Sequence, residues 1–521
     1  MAGRLLIASA AVLGVVVAAA FWLAGRSGPE PAPAPSPASA IGPSTDTEPY
    51  LVPVAEGVHI RSLLTVEDDG SASDGYELTG LPDGLGAVAA GGTDFALLMS
   101  HEIDAGAGGV RRHGQRSAYV STFTIDRVSL EVKDGSDTID PGVRYWNYLT
   151  REYQDRASPD GRNPRRRGDA FQAQGDTLVR FCSGTLSAPR QFVSSESASG
   201  YPGQIYFANE ELEPDGRVFG VLLDGETQQL PQLGLFAHEN TKPAYNRSDT
   251  TLAIGTEDTA HGQLHVYAGT KQADGNAFDR AGLTNGTRHV LDLVDENVST
   301  DSDFRAEYGK DRPVEFDLAE VDWDQSGPGQ NTEAQEKGLT LNRLEDGAWD
   351  PRRPETFYFT TTAGGKSATP ERDGGGLWRL TFDDIEQPRR GGTIELLLDG
   401  SEAPQLNGPD NIDIDARGNL LIQEDPDENP HLARVIAYDI TTGARGVLAG
   451  FDPDLFAADS ANLITVDEES SGIIDAEQVI GPGWFLFDTQ VHEPSQDPDN
   501  VELGQLLAMK VDSFRDIYDI P

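Results

Sequence analysis

Acidic side chains recur in pairs along this sequence, each pair closing one short apolar run or opening the next. They are His101-Glu102, Asn209-Glu210-Glu211, His238-Glu239, Glu257-Asp258, Glu345-Asp346, Asp410-Asn411, Glu424-Asp425 and Glu468-Glu469. Gathered on one face, such clusters would raise one another's pKa values. A hard cation such as Ca²⁺, which accepts about six to eight oxygen ligands, would relieve that repulsion. Any one of these acids could equally be a solvent-facing loop end, and only their recurrence argues for a site.

Other chemistries find less support. His101, His238 and His492 each have acids nearby in sequence, but no His-Glu-x-x-His spacing exists, which excludes the helical zinc-protease arrangement. Gly-x-Ser-x-Gly, phosphate-loop and complete EF-hand patterns are absent, and Asp413-x-Asp415-x-x-Gly418 is a turn-like fragment. Cys182 is the single cysteine, so no intramolecular disulfide and no cysteine-rich zinc motif can form. A free cysteine is usually a small buried hydrophobe. Beside carboxylates, its thiolate would favour a softer or redox-active metal such as iron.

The elements that must position these groups are short strands. The 57 Gly and 32 Pro describe a chain broken often by turns, without a long amphipathic helical pattern. Six runs follow a Gly or small-residue turn: 117–126, 217–224, 262–267, 376–382, 433–439 and 504–509. Before each lies a run ending in or near polar or acidic residues: 95–102, 204–211, 252–258, 357–361, 420–425 and 484–488. Further upstream are the openings at Pro82, Cys182, His238, Glu345, Pro409 and Glu468. Read as third, second and first strands, these describe an all-β, six-bladed β-propeller, whose first-strand openings and second-strand ends gather near the axis. Segments 140–176, 274–315 and 427–431 read as loop insertions. Closure of the ring asks for an outer strand from Val58 to Val66.

Length alone would suggest about three or four domains, but propellers repeat small sheets in one large domain. The expected organisation is an export signal or membrane anchor over 1–26, a Pro/Ala/Ser-rich linker over 27–48 and the propeller over 49–521. The first segment rests on the apolar stretch Leu5 to Gly25 between Arg4 and Arg26, and places the protein outside the cytoplasm. A formal charge of -46 disfavours nucleic acid as a partner.

In this order, the residues resemble the PhoX-type alkaline phosphatases, a family of exported six-bladed propellers holding calcium and iron in the channel. The resemblance is carried by His101-Glu102, Arg112-His113-Gly114, Cys182-Ser-Gly184, Glu210-Glu211, His238-Glu239, Glu345, Pro409-Asp-Asn-Ile and Glu424-Asp425. Where the family continues from its cysteine through a Thr-Pro-Trp turn, this chain reads Cys182-Ser-Gly-Thr-Leu-Ser-Ala-Pro-Arg190. Ser195-Glu196 then competes with Glu210-Glu211 for the acidic pair, and strand context favours the latter.

The resemblance implies a metal-dependent phosphomonoester hydrolase with Ca²⁺ and, at the cysteine, Fe³⁺. It acts on a small phosphoester as a monomer and meets a membrane only through its N-terminal segment. Cys182, Glu210, Glu211 and Glu239 are the first choices for the catalytic metal cluster. Glu102, Asp258, Glu345, Asp410, Asn411 and Glu424 are further ligands, and Arg112, Arg190 or Arg379 would clamp phosphate. Two alternatives stand beside this one. A calcium-dependent lactonase or esterase would use Asn240 or Asn411, and a calcium-stabilised binding propeller would have no turnover.

Overall fold

The computed structural model describes residues 40–518 apart from 69–71, 158–160, 163–168, 172–174, 368 and 370–371. The expected leader and most of the linker lie outside these residues. No helix among the described residues is long and apolar enough to cross a membrane.

The fold is all-β and propeller-like. Three four-stranded antiparallel sheets, one five-stranded sheet and one nine-stranded sheet carry the architecture. Each of the three smaller sheets follows the order read from the sequence. One runs through Pro82–Gly91, Asp94–His101, Tyr119–Asp126 and Val132–Asp137, and the next through Phe181–Leu186, Ile205–Glu210, Val218–Leu222 and Thr227–Gln229. The last sheet of the chain, Glu468–Asp475, Trp484–Pro494 and Glu502–Val511, takes its outer strand from Val58–Thr65, with Ile60 opposite Met509. A strand near the start of the chain and its last strand are thereby joined, as closure requires.

The nine-stranded sheet contains two such units, one opening at His238–Pro243 and one at Leu344–Trp349. They meet through strands Val314–Val321 and Gly392–Leu398. The segment expected as an insertion over 274–315 is therefore partly sheet, because Thr287–Leu293 pairs with Leu264–Thr270. Its alternation is short and set between turn residues, which hides it. The described structure also holds one 11-residue helix, Gly327–Lys337.

Six innermost strands, beginning at Pro82, Phe181, His238, Leu344, Pro409 and Glu468, touch their neighbours in a closed ring. Between successive units lie six separate apolar clusters. One example is Ile205, Phe207 and Val218 against Ala253 and Tyr267, and another is Leu97, Met99 and Phe123 against Leu486, Leu506 and Ala508. Because second strands are buried on both faces, they read as continuous apolar runs such as Phe357-Tyr-Phe359. These clusters fix the ring's radius and hence the position of everything that faces the axis.

Candidate metal centre

The first strands do not run straight past the axis. In five of them the register slips by one residue, so that two residues face one on the second strand: Asp83-Gly84, Cys182-Ser183, Glu239-Asn240, Glu345-Asp346 and Asp410-Asn411. A bulge of this kind breaks the alternation of faces and re-aims a side chain. In the sixth strand the slip comes later, between Ser471 and Ile474. The residue opposite each of the five bulges is polar: Ser100, Asn209, Thr256, Thr360 and Gln423. Asn209 Nδ2 donates to the Ser183 carbonyl at 2.8 Å, and Thr360 Oγ1 to the Asp346 carbonyl at 3.2 Å, supplying partners for backbone groups freed from the ladder.

A second repeated feature fixes the ends of the second strands. The backbone N–H groups of Glu102, Glu211, Asp258, Thr362, Asp425 and His492 donate to the carbonyls of Leu81, Arg180, Ala237, Arg343, Gly408 and Asp467, at 2.8 to 3.1 Å. Each of those carbonyls belongs to the residue two places before a first-strand channel residue. Leu81, Arg180, Arg343 and Gly408 hold positive φ angles of 53°, 42°, 52° and 58°. For the three non-glycine residues this conformation is costly, of order 1 kcal/mol or more each.

The result is two rings. First strands contribute Asp83, Cys182, Glu239, Glu345, Asp410 and Glu469. Second-strand ends contribute Glu102, Glu211, Asp258, Asp425 and His492. All eleven line one cavity of about 370 Å³ together with Arg180 and Arg343. Three sets of ligand atoms lie within 4.8 Å of one another: Asp83, Glu102 and Cys182; Glu239, Glu345 and Asp410; Asp410, Asp425 and Glu469.

The electrostatics are those of an acid cluster short of positive charge. Burial, then the charge of neighbouring acids, pushes the carboxyls of Asp83, Glu239, Glu345 and Asp410 well above the ordinary range. Burial and Asp425 lift Glu469 to about 8, and burial and Glu102 lift Glu211 to about 7. Burial and Glu239 raise the Cys182 thiol, whose Sγ lies 3.0 Å from Glu239 Oε2 and 3.3 Å from Asp83 Oδ2. Two guanidiniums answer part of this charge. Arg180 pairs with Glu102 and, at 2.5 Å, with Glu211. Arg343 pairs with Asp258 at 2.9 Å and reaches Glu345 at 3.5 Å. Glu239 Oε1 is buried without a hydrogen-bond partner, and Glu345 Oε1 is buried with only the Arg343 guanidinium at 3.5 Å. Carboxylate oxygens short of partners and converging with a thiol are what a bound cation would complete, so the donor set fits metal ions.

Below the rings, the second bulge residues form a polar floor. Asn240 Nδ2 donates to Asp346 Oδ1 at 2.8 Å, and Asn411 Nδ2 donates to Ser183 Oγ. The amides that a lactonase would need at a metal, those of Asn240 and Asn411, make these contacts within the floor.

Of the residues expected from sequence, Glu102, Cys182, Glu211, Glu239, Asp258, Glu345 and Asp410 line the cavity. Glu210 and Glu424 do not. One place earlier on their strands, each faces the next strand and is clamped by an arginine. Arg217 donates to Glu210 at 2.6 and 2.7 Å, and Arg434 to Glu424 at 2.6 and 2.8 Å. Asn411 sits in the floor. Glu196 is exposed in a turn, outside the cavity lining. The three arginines proposed as clamps also lie outside that lining: Arg112 pairs with Asp140 at 2.6 Å, Arg379 pairs with Glu395, and Arg190 is exposed. Asp83, His492, Arg180 and Arg343 were not expected as lining residues, while Asp425 and Glu469 were named only as members of acidic pairs. The usable signal was position, since Arg180 and Arg343 each stand two residues before a channel residue.

Residues 224–459 match the family model described as alkaline phosphatase PhoX, so the resemblance read from the sequence holds over that span. The span includes Glu239, Asp258, Arg343, Glu345, Asp410 and Asp425, and leaves out Cys182 and Glu211. No curated protein matches the sequence. Among solved structures, the fold is similar to Pseudomonas fluorescens PhoX in complex with vanadate, a transition state analogue. That match has a TM-score of 0.54 and 12% identity, covering 91% of this chain and 98% of that one. A GH93 alpha-L-arabinofuranosidase of Fusarium graminearum with arabinobiose matches at a TM-score of 0.40 and 8% identity, covering 88% and 98%.

Proposed function

We propose that this chain is an extracytoplasmic, metal-dependent phosphomonoester hydrolase of the PhoX type, a six-bladed propeller working from the acidic mouth of its channel. The observation that carries this reading is the pair of in-register rings, which bring nine carboxylates and one thiol to one cavity faced by two guanidiniums. A closed ring of six first strands, six inter-sheet clusters and one backbone hydrogen bond made six times support counting the nine-stranded sheet as two blades. The apolar stretch Leu5 to Gly25 supports a place outside the cytoplasm. The family match and the vanadate bound by the Pseudomonas fluorescens protein favour a phosphoryl substrate.

The all-oxygen sets Glu239/Glu345/Asp410 and Asp410/Asp425/Glu469 suit Ca²⁺, and the set Asp83/Glu102/Cys182, with its sulfur, suits iron. When bound, such ions supply positive charge and Lewis acidity toward phosphate oxygens. Everything else falls to the chain. Arg180 and Arg343, each about a third exposed, stand at the mouth where a phosphate would arrive, and a guanidinium meets two of its oxygens at once. Burial alone would lower the pKa of His492. The bond of its Nδ1 to Glu502 at 2.8 Å and the charge of Glu469 lift it to about 10, which keeps a proton on the imidazole at the cavity wall. The polar floor closes the cavity beneath the substrate.

The test is hydrolysis of 4-nitrophenyl phosphate, and of a simple lactone, by protein purified with calcium and iron, before and after chelation. Phosphomonoester turnover that chelation removes, and that Cys182→Ala and Glu211→Ala lose, is the expected result. Lactone opening alone, or no turnover in a folded protein that calcium still stabilises, would replace this reading with a lactonase or a binding propeller.

A further inference from the structure

We propose that the opposite mouth of the channel is a second ligand site, independent of the acidic one, that takes a small organic cation with an apolar body. A cavity of about 670 Å³ opens there, within the ~300–1,000 Å³ typical of small-molecule sites. The first strands that build the acidic rings continue into it and change character, with Leu85, Ala87, Leu186, Pro243, Trp349 and Ile474 making its wall. Removing such a wall from water would reward any ligand with a hydrocarbon body of matching size.

Charge decides the kind of ligand. Three charged side chains line this cavity: Lys242, Asp413 and Asp475. The Lys242 ammonium lies 3.1 Å from Asp346 Oδ1, so its charge is answered by the floor. Asp413 and Asp475 make no ion pair among the described residues. They are adjacent, since the Asp475 backbone N–H donates to Asp413 Oδ2 at 2.6 Å. Burial and then the charge of Asp413 push Asp475 up to about 7, and Lys242, beyond ion-pair distance, only partly offsets the charge of Asp413. An ammonium group on the ligand relieves that repulsion, whereas a phosphate or carboxylate would meet it. The same wall that favours an apolar body therefore discriminates by charge. The floor of Ser183, Asn240, Asp346 and Asn411 lies between this cavity and Cys182, so the occupant and a phosphoester do not compete for one space.

The test is isothermal titration of benzylamine into the full chain, with benzyl alcohol and benzoate as its neutral and anionic counterparts. Saturable binding of benzylamine is expected, about tenfold or more tighter than that of benzyl alcohol, with none for benzoate. Asp413→Asn/Asp475→Asn should weaken it about tenfold. Ala188→Trp, an exposed position on the rim, should abolish it while leaving both carboxylates and the acidic surface in place. That variant decides the matter alone if the double variant does not fold. Absence of benzylamine binding, equal binding of benzoate, or unchanged binding in folded Ala188→Trp would overturn the proposal.

Discussion

At the acidic mouth the first strands turn Asp83, Cys182, Glu239, Glu345, Asp410 and Glu469 toward the axis. A few residues further along, the same strands turn Leu85, Leu186, Pro243, Trp349 and Ile474 toward the other mouth. The contrast comes from the bulge that separates the two stretches in five of the six strands. At the bulge an acid, or Cys182 in one strand, faces the axis; beyond it the register has slipped, and an apolar residue continues toward the other mouth in four of these strands and Asp413 in the fifth. One strand thereby serves two cavities of unlike chemistry, with a polar floor between them.

The widest separation between the two mouths should be in turnover. Glu239→Gln removes a carboxylate with an orphaned oxygen from the acidic cavity, and phosphomonoesterase activity is expected to fall about a thousandfold. Ala188→Trp at the apolar mouth should leave kcat within about twofold. Steady-state kinetics on the two variants check this, and equal losses would erase the distinction.

A sharper version compares neighbours on one strand. Glu210→Gln breaks a fully buried pair with Arg217, at a cost of about 3–5 kcal/mol in chemical denaturation. Glu211→Gln, in metal-free protein, should cost less than about 1 kcal/mol, because its partner Arg180 is about a third exposed and Glu102 repels it. Activity should show the reverse order, lost in Glu211→Gln and retained per folded molecule in Glu210→Gln.

This pair also shows how far the sequence could be read. All six second strands were legible because apolar runs end in polar or acidic residues. Which acid of each pair faces the axis depends on register to one residue, and runs such as Asn209-Glu210-Glu211 do not reveal it. Composition favoured both, and only the pairing of Phe181 with Glu210 settles that Glu211 points inward. Asp83 was hidden in the same way, since Pro82-Asp83-Gly84 reads as a turn until the bulge is seen. Arg180 and Arg343 were legible only by position, because their role follows from a left-handed backbone just ahead of the strand and not from residue type.

The dependence on pH is smaller and has a definite sign. Glu469 is raised from 4.5 to about 8 in the folded protein by burial and Asp425, and Glu257 to about 8 by burial. The native state then holds more protons than the unfolded one between these values. Metal-free protein should therefore lose stability as pH rises from about 4.5 to 8. Calcium should remove the part due to Glu469 and leave that of Glu257, which lies outside the acidic cavity. Denaturation midpoints at pH 5 and 8, with chelator and with calcium, measure both parts. The smallest effect is expected for Arg112→Ala, whose exposed pair with Asp140 contributes about 0–1 kcal/mol and should not alter turnover.

Asp410 is shared by two of the three ligand groups, which makes it the place to ask whether the acidic mouth is a metal centre at all. Calcium is titrated calorimetrically into metal-stripped wild-type protein and into Asp410→Asn, at a salt concentration that suppresses weak surface binding. Wild-type protein should bind calcium tightly and saturably, and the variant should lose most of that heat while remaining folded. Identical isotherms for the two proteins, or no tight binding in either, would contradict the assignment.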